Sequence, residues 1–248
     1  MRLKDKICIV TGAAQGFGAA IARRFAAEGA KVLVSDLNGE GAAKVAALIG
    51  PDAEPFAADV SKGMDFSAMA ARCVAVFGGL DVVVNNAGTT HRNQPMLDVT
   101  EAVYDRLMAV NVKSIFHSAH ACVPVFRRQG HGCMLNIAST GGIRPRPGLT
   151  WYNASKGAVI TMTKSMAVEL APDRIRVNAL CPVAAETALL EDFMGEDSPE
   201  MRAKFVSTIP LGRFCTPDDV AKAALHLCSD DADFLTGVCL EVDGGRTI

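Results

Sequence analysis

The sequence predicts an α/β fold: one doubly wound parallel sheet with helices on both faces. Three observations point there. Short runs rich in Val, Ile and Leu recur along the chain, longer segments with helical spacing separate them, and no linker or low-complexity tract interrupts the alternation between residues 7 and 242. Strands so short and apolar suit a sheet buried on both faces, and strand–helix alternation is what parallel crossovers require.

The apolar runs are Ile7–Val10, Lys31–Ser35, Asp81–Asn85, Cys133–Ala138, Ile175–Leu180 and Gly237–Val242. Between them Ala19–Glu28, Gly41–Ile49, Met64–Phe77, Thr100–Arg128, Trp151–Leu170 and Pro217–Ser229 repeat apolar residues on one helical face. Thr100 and Thr216 suit N-caps, the second with Pro217 at the first helical position. The uninterrupted pattern makes 1–248 one domain, with a substrate lid expected at 184–205. Right-handed crossovers bring the strand C-termini to one edge, where ligands bind at the switch in strand order.

Half the residues are apolar, 21% are charged and the formal net charge is -2. That balance describes a soluble globular protein and argues against nucleic acid or an anionic membrane as partner. Eight cysteines, at positions 8, 73, 122, 133, 181, 215, 228 and 239, lie scattered in apolar runs without metal-ligand pairing, and are expected to be reduced and mainly buried. The opening Met1-Arg-Leu-Lys-Asp-Lys lacks the pattern of a secretory signal, and no apolar run reaches the ~18 residues of a membrane span, so a cytoplasmic location is expected.

Directly after the first strand comes Thr11-Gly12-Ala-Ala-Gln15-Gly16-Phe17-Gly18, and then a helix. Glycines here permit a tight turn and close approach of backbone to a pyrophosphate, and a helix N-terminus offers free N–H groups and partial positive charge. Gly12, Gln15, Gly16, Phe17 and Gly18 are therefore expected at a dinucleotide. The second strand ends at Asp36, 18 residues past Gly18. A carboxylate there accepts hydrogen bonds from the adenosine ribose and repels a 2′-phosphate, and neither Gln15, Phe17 nor Leu37 supplies an offsetting cation. Asp36 with Leu37 thus predicts NAD rather than NADP.

Tyr152-Asn-Ala-Ser-Lys156 opens a predicted helix, and a spacing of four places tyrosine and lysine on one face. An ammonium beside a phenol can stabilise the phenolate. Lowering a tyrosine from a pKa near 10 to neutrality takes about 3 to 4 kcal/mol of differential interaction. Thirteen residues before Tyr152, Ser139 ends a strand and puts a hydroxyl on the same edge, where it could bond a substrate oxygen.

These motifs, with Asp59-Val60, Asn85-Asn86-Ala87-Gly88, Asn111, Pro182 with Thr187, and Val242-Asp243-Gly244-Gly245, make the chain resemble a short-chain dehydrogenase/reductase over nearly its whole length. The resemblance implies a Rossmann-type fold in which Asp59 and Val60 hold the adenine, and Asn86, Ala87 and Gly88 line the ribose. Tyr152 and Lys156 would also touch the cofactor, and Thr187 would contact the carboxamide. Asn111 would anchor a water linking Lys156 to solvent in a proton relay. Many relatives carry Pro-Gly after the sixth strand, whereas Pro182-Val183 stands here, and valine disfavours positive φ, so the backbone beside the nicotinamide is expected to run differently.

The implied reaction is hydride transfer between a secondary alcohol (a sugar, polyol, hydroxy acid or similar) and its ketone or lactone. Tyr152 is the acid/base, Ser139 orients the oxygen, and no metal takes part. Reduction of 3-oxoacyl thioesters is the alternative, and a non-catalytic dinucleotide sensor is disfavoured by Asn111, Ser139, Tyr152 and Lys156 occurring together. Substrate choice falls to the loops Thr89–Met96 and Gly141–Trp151 and to the lid. Arg92, Arg144 and Arg146 punctuate the first two loops and could pair with an anionic substrate group or serve an interface. The resemblance further implies a homotetramer.

Overall fold

In the computed structural model, which describes residues 1–185 and 190–248, the chain opens with β1 (Ile7–Thr11), α1 (Gly16–Ala27), β2 (Lys31–Asp36), α2 (Gly39–Ile49), β3 (Ala53–Ala57), α3 (Gly63–Phe77) and β4 (Val82–Asn85). There follow α4 (Glu101–Met108), α5 (Ser114–Gln129), β5 (Gly132–Ile137), α6 (Thr150–Leu170) and β6 (Ile175–Pro182). The short helices α7 (Leu190–Met194) and α8 (Pro199–Val206) precede α9 (Pro217–Cys228) and β7 (Cys239–Val242). All pairings are parallel, in the order β3-β2-β1-β4-β5-β6-β7.

Alternate strand residues enter opposite cores, which is why the strand runs show no polar face. Cys8, Val10, Val32, Val34, Val82, Val84 and Leu135 pack with Ile21 and Phe25 of α1 and with Val220 and Leu225 of α9. Ile9, Leu33, Val83, Met134 and Val177 face Phe66 and Met69 of α3, Phe126 of α5 and Leu170 of α6. Of the cysteines, all but Cys239 are buried. No helix among the described residues is long and apolar enough to cross a membrane.

Three differences from the sequence reading have physical causes. The strand β3 was not expected: it lies on the sheet edge and carries Pro55, which an edge strand tolerates because one side of its backbone needs no ladder bond. The segment expected as one helix from Thr100 to Arg128 is two, joined by a π-helical turn over Ala109–Lys113 that carries Asn111 into the interior. Helix α1 starts at Gly16, earlier than Ala19, because glycine can enter the first turn directly from the loop. Both expected caps are present: the Thr100 side chain accepts from Val103 N–H, and Thr216 forms a reciprocal capping box with Asp219.

The order reverses between β1 and β4, since the chain runs outward from β1 to β3 and then returns to β4 on the other side. The crevice at that reversal is held by Asn86, whose Nδ2 donates to the Thr11 and Gly12 carbonyls at 2.8 and 3.0 Å, while Thr11 Oγ1 accepts from the N–H groups of Asn86 and Ala87, both at 3.1 Å. Gly12 has φ +62, and a Cβ on it would sit 2.8 Å from Ala87 Cα; a Cβ on Gly18 would collide with the Gly12 carbonyl oxygen. Gly18→Ala is therefore expected to push α1 off the β1–β4 seam and lower the melting temperature by several degrees, roughly what 1–3 kcal/mol of overpacking does to a chain of this size. An unchanged melting curve would show that the seam yields freely.

Candidate active site

A cleft of about 940 Å³ opens along the C-terminal edge of the sheet, and almost every residue picked from the sequence borders it: Gly12, Gln15, Gly16, Phe17, Asp36, Leu37, Asp59, Val60, Asn86, Ala87, Gly88, Ser139, Tyr152, Lys156, Pro182 and Val183. Gly18 and Asn111 stand behind this surface, and Thr187 lies outside the described residues.

At one end the β1–α1 loop presents a helix N-terminus. Gln15 at the N-cap makes no side-chain capping bond, so the first-turn N–H groups face the cleft, and Gly16 takes φ +57. Asp36 is fixed by its neighbours: its carboxylate oxygens accept from Ala14 N–H at 2.9 Å and from Asn38 N–H at 2.8 Å, which leaves one lone pair on each oxygen for a further donor. Arg23 also borders the cleft, a cation beyond Gln15, Phe17 and Leu37. Asp59 is turned into its own loop by the Ser61 hydroxyl at 2.7 Å and backbone N–H at 3.0 Å, and the hydroxyl bond is the main reason its carboxyl is held below the usual range. An uncapped helix end, glycines where a Cβ would collide and an aspartate at the end of β2 fit a dinucleotide.

At the other end Tyr152 and Lys156 project from the first turns of α6, both buried. Lys156 Nζ donates to the Ile137 carbonyl at 2.7 Å and lies 5.9 Å from the centre of the Tyr152 ring. Ser139, two residues beyond β5, accepts from Gly141 N–H at 3.0 Å and turns its own hydroxyl to Tyr152. Burial pushes the Tyr152 phenol up to about 12, and the groups that pull it back are the Ser139 hydroxyl and the Arg146 charge. The sequence reading gave that role to Lys156. Burial instead brings Lys156 itself down to about 8.

Asn111 reaches this pair through the π turn. Its Nδ2 donates to Thr89 O at 2.9 Å and to Ser155 Oγ at 3.0 Å, while Oδ1 accepts from Thr89 N–H at 2.9 Å. Gly88 stands beside both groups: a Cβ there would lie 3.4 Å from Asn111 Oδ1 and 3.5 Å from Lys156 Nζ. Val183 follows β6 with φ outside the positive region, buried, its N–H donating to Val242 O at 3.2 Å. The sheet ladder thus continues through Val183.

Of the loop arginines, Arg146 borders the cleft; Arg92 is tied to the Gly195 carbonyl at 3.0 Å and Arg144 to the Arg246 carbonyl at 2.8 Å, both outside it. The sequence reading missed Arg246 and Asn153, which the fold brings to the same wall as Phe193 and Phe205 of the expected lid.

The family model described as enoyl-(acyl carrier protein) reductase matches residues 12–247. The chain is 56% identical over 252 residues, covering 100% of both sequences, to 4-formylbenzenesulfonate dehydrogenase of Comamonas testosteroni. It is 38% identical to 2-(S)-hydroxypropyl-CoM dehydrogenase 3 of Xanthobacter autotrophicus, covering 99% of this chain and 98% of that one. The chain belongs to the short-chain dehydrogenase/reductase family. A crystal structure of 3-ketoacyl-(acyl-carrier-protein) reductase from Brucella melitensis, complexed with NADH, superposes on this short-chain dehydrogenase/reductase with a TM-score of 0.95 at 46% identity, covering 99% and 100% of the two chains.

The buried lysine has a consequence for stability. Folded Lys156 loses its proton near pH 8 whereas an unfolded lysine holds it to about 10.5, so across that window the unfolded chain binds more protons and the contribution at this position improves as pH rises. Below pH 8 the buried charge costs roughly 3 kcal/mol. Comparing Lys156→Met with the wild type by thermal melting without cofactor, the difference should move in favour of the wild type between pH 8 and 10; a constant difference would mean that Lys156 titrates normally.

Proposed function

We propose that this chain is an NAD-dependent dehydrogenase/reductase that interconverts an alcohol and its carbonyl compound, with Tyr152 as acid/base. The observation that carries this reading is that Ser139, Tyr152 and Lys156 border the same cleft as the uncapped N-terminus of α1 and the fixed carboxylate of Asp36.

The pyrophosphate would lie at Gly16 and the start of α1, the ribose hydroxyls at Asp36, and the adenine against Asp59 and Val60. Ala87, Gly88, Pro182 and Val183 would line the remainder. Bound NAD supplies the hydride acceptor and, in its oxidised form, a positive charge that favours the phenolate. In oxidation the Ser139 hydroxyl donates to the substrate oxygen while Tyr152 Oη removes its proton; in reduction Tyr152 returns it. Lys156, whose burial brings its ammonium down to about 8, would carry protons for the site at physiological pH, with Asn111 beside Gly88 as the next group in the relay. Of the expected lid, Ala184, Ala185, Leu190, Phe193 and Phe205 border the cleft and would cover the substrate. The chain works in the cytoplasm as a homotetramer, which would cover Phe116 on α5 and Val168 on α6, 52% and 80% exposed in the single chain.

One relative is named for 4-formylbenzenesulfonate, which makes benzylic alcohols and aldehydes the first substrates to screen, followed by polyols and hydroxy acids. A second reading, reduction of a 3-oxoacyl thioester, is favoured by the Brucella reductase; that enzyme was solved with NADH, so an NAD-selecting aspartate alone does not separate the two. Turnover of acetoacetyl thioesters against benzylic alcohols does.

Tyr152→Phe should lower kcat by ~100- to 10,000-fold, the range for loss of a general acid/base, while NADH still binds. Near-normal turnover in that variant would remove Tyr152 from the chemistry. The wild type should prefer NAD over NADP in kcat/KM, and Asp36→Ala should shrink that preference by about tenfold or more, as removing one like-charge contact allows. An NADP-preferring wild type would overturn the assignment of Asp36.

A further inference from the structure

The wall of the cleft beyond Tyr152 is aromatic, and its far end is basic. The Tyr152 ring meets Phe193 edge-on at 5.0 Å, and Phe205 stacks on Phe214 at 5.5 Å. Two guanidinium groups gather on Phe205: that of Arg146 lies 4.9 Å and that of Arg246 5.0 Å from its ring centre.

Neither arginine has a carboxylate salt bridge among the described residues. Arg146 Nη2 donates to the Phe193 carbonyl at 2.7 Å, and Arg246 Nε donates to Thr208 Oγ1 at 3.0 Å. Each fork keeps further N–H donors. The nearby acids are committed elsewhere. Asp243 accepts from Gly245 N–H, Thr247 N–H and the Thr247 hydroxyl, at 2.9, 2.7 and 2.6 Å. Asp197, also at the cleft, pairs with Arg202 at 2.5 and 2.8 Å. Two like charges held around one ring, partly out of solvent, repel each other; an anion between them would offset that cost.

Their placement is not left to flexible side chains alone. Asn153, the residue after Tyr152, donates to the Arg146 carbonyl at 2.8 Å, and Arg144 Nη1 holds the Arg246 carbonyl at 2.8 Å. The backbones carrying both guanidinium groups are therefore tied to the loop that leads into the Tyr152 turn.

We propose that Arg146 and Arg246 form an anion subsite, so that the preferred substrate carries a sulfonate or carboxylate at the end of a planar apolar body remote from the reacting carbon. The ring of such a substrate lies along Phe193 and Phe205, its oxyanion takes N–H donors from both forks, and its reacting carbon is delivered to Tyr152. This rests on the reading of Tyr152 as the reacting centre, and the test separates the two.

Binding of benzenesulfonate and of its uncharged analogue benzenesulfonamide is measured by calorimetry on the full chain with NADH present. The wild type should bind the sulfonate at least about tenfold more tightly, as charge-assisted hydrogen bonds provide. That ratio should fall toward one in Arg146→Gln and in Arg246→Gln, each shown to be folded by NADH binding, and should persist in Arg92→Gln, which lies outside the cleft. A wild-type ratio near one, or a ratio surviving in both cleft variants, overturns the subsite. Turnover of 4-(hydroxymethyl)benzenesulfonate and benzyl alcohol is then followed: charge-selective binding without oxidation of any alcohol supports the subsite and counts against the proposed reaction.

Discussion

The seam between the β1–α1 loop and the end of β4 holds the molecule's function in place. Two strands with opposite onward directions meet there, and their ends would splay if the backbones could not touch. Thr11 Oγ1 accepts two N–H groups from the β4 end, and Asn86 returns two bonds to the loop carbonyls, so four hydrogen bonds close a gap that only glycine at position 12 leaves open. That closure points the N-terminus of α1 into the crevice and puts Ala87 and Gly88 on its floor. Gly88 in turn lies beside Lys156 and Asn111, so the seam positions both ends of the cleft.

Burial and charge oppose each other at the other end. A tyrosine and a lysine buried in the cleft wall both favour their neutral forms, and in the protein alone burial wins: the phenol is driven up and the ammonium down. Four-residue spacing on a helix places the two groups together but does not decide which protonation state they share. The Lys156 ammonium is also directed at the Ile137 carbonyl rather than at the phenol oxygen, which leaves Ser139 and Arg146 as the groups that lower Tyr152. In the protein alone the phenol therefore keeps its proton, and in the proposed reaction a further positive charge in the cleft would be needed to release it.

The sheet was legible in the sequence because each central strand is covered on both faces and so reads as an unbroken apolar run. The strand β3 was not, since an edge strand holding Glu54 and Pro55 has neither the alternation nor the run to announce itself. The loop, Asp36 and the Tyr152–Lys156 pair were legible because their chemistry depends on local spacing that a chain must keep. Asn111 was visible only through family resemblance: apolar spacing continues straight through residues 100–128, and nothing in it marks the π turn that carries the amide inward. Arg246 had no local signal at all. It sits in a tail beyond the last strand, and only the return of that tail to Thr208 and Phe205 gives it a place at the cleft.

That contrast follows the division of labour in the fold. Groups that act on the reacting bond must be fixed to within fractions of an ångström, so they sit on helix turns and strand ends, where spacing in sequence becomes spacing in space. Groups that would choose the rest of the substrate need only reach it, and in the proposed subsite they come from a loop and a tail far apart in sequence, Arg146 and Arg246. Joining them requires tertiary ties such as Asn153 to the Arg146 carbonyl and Arg144 to the Arg246 carbonyl. A change of a few residues around Phe205 would therefore alter the charge of that wall and leave the seam and the Tyr152 turn untouched.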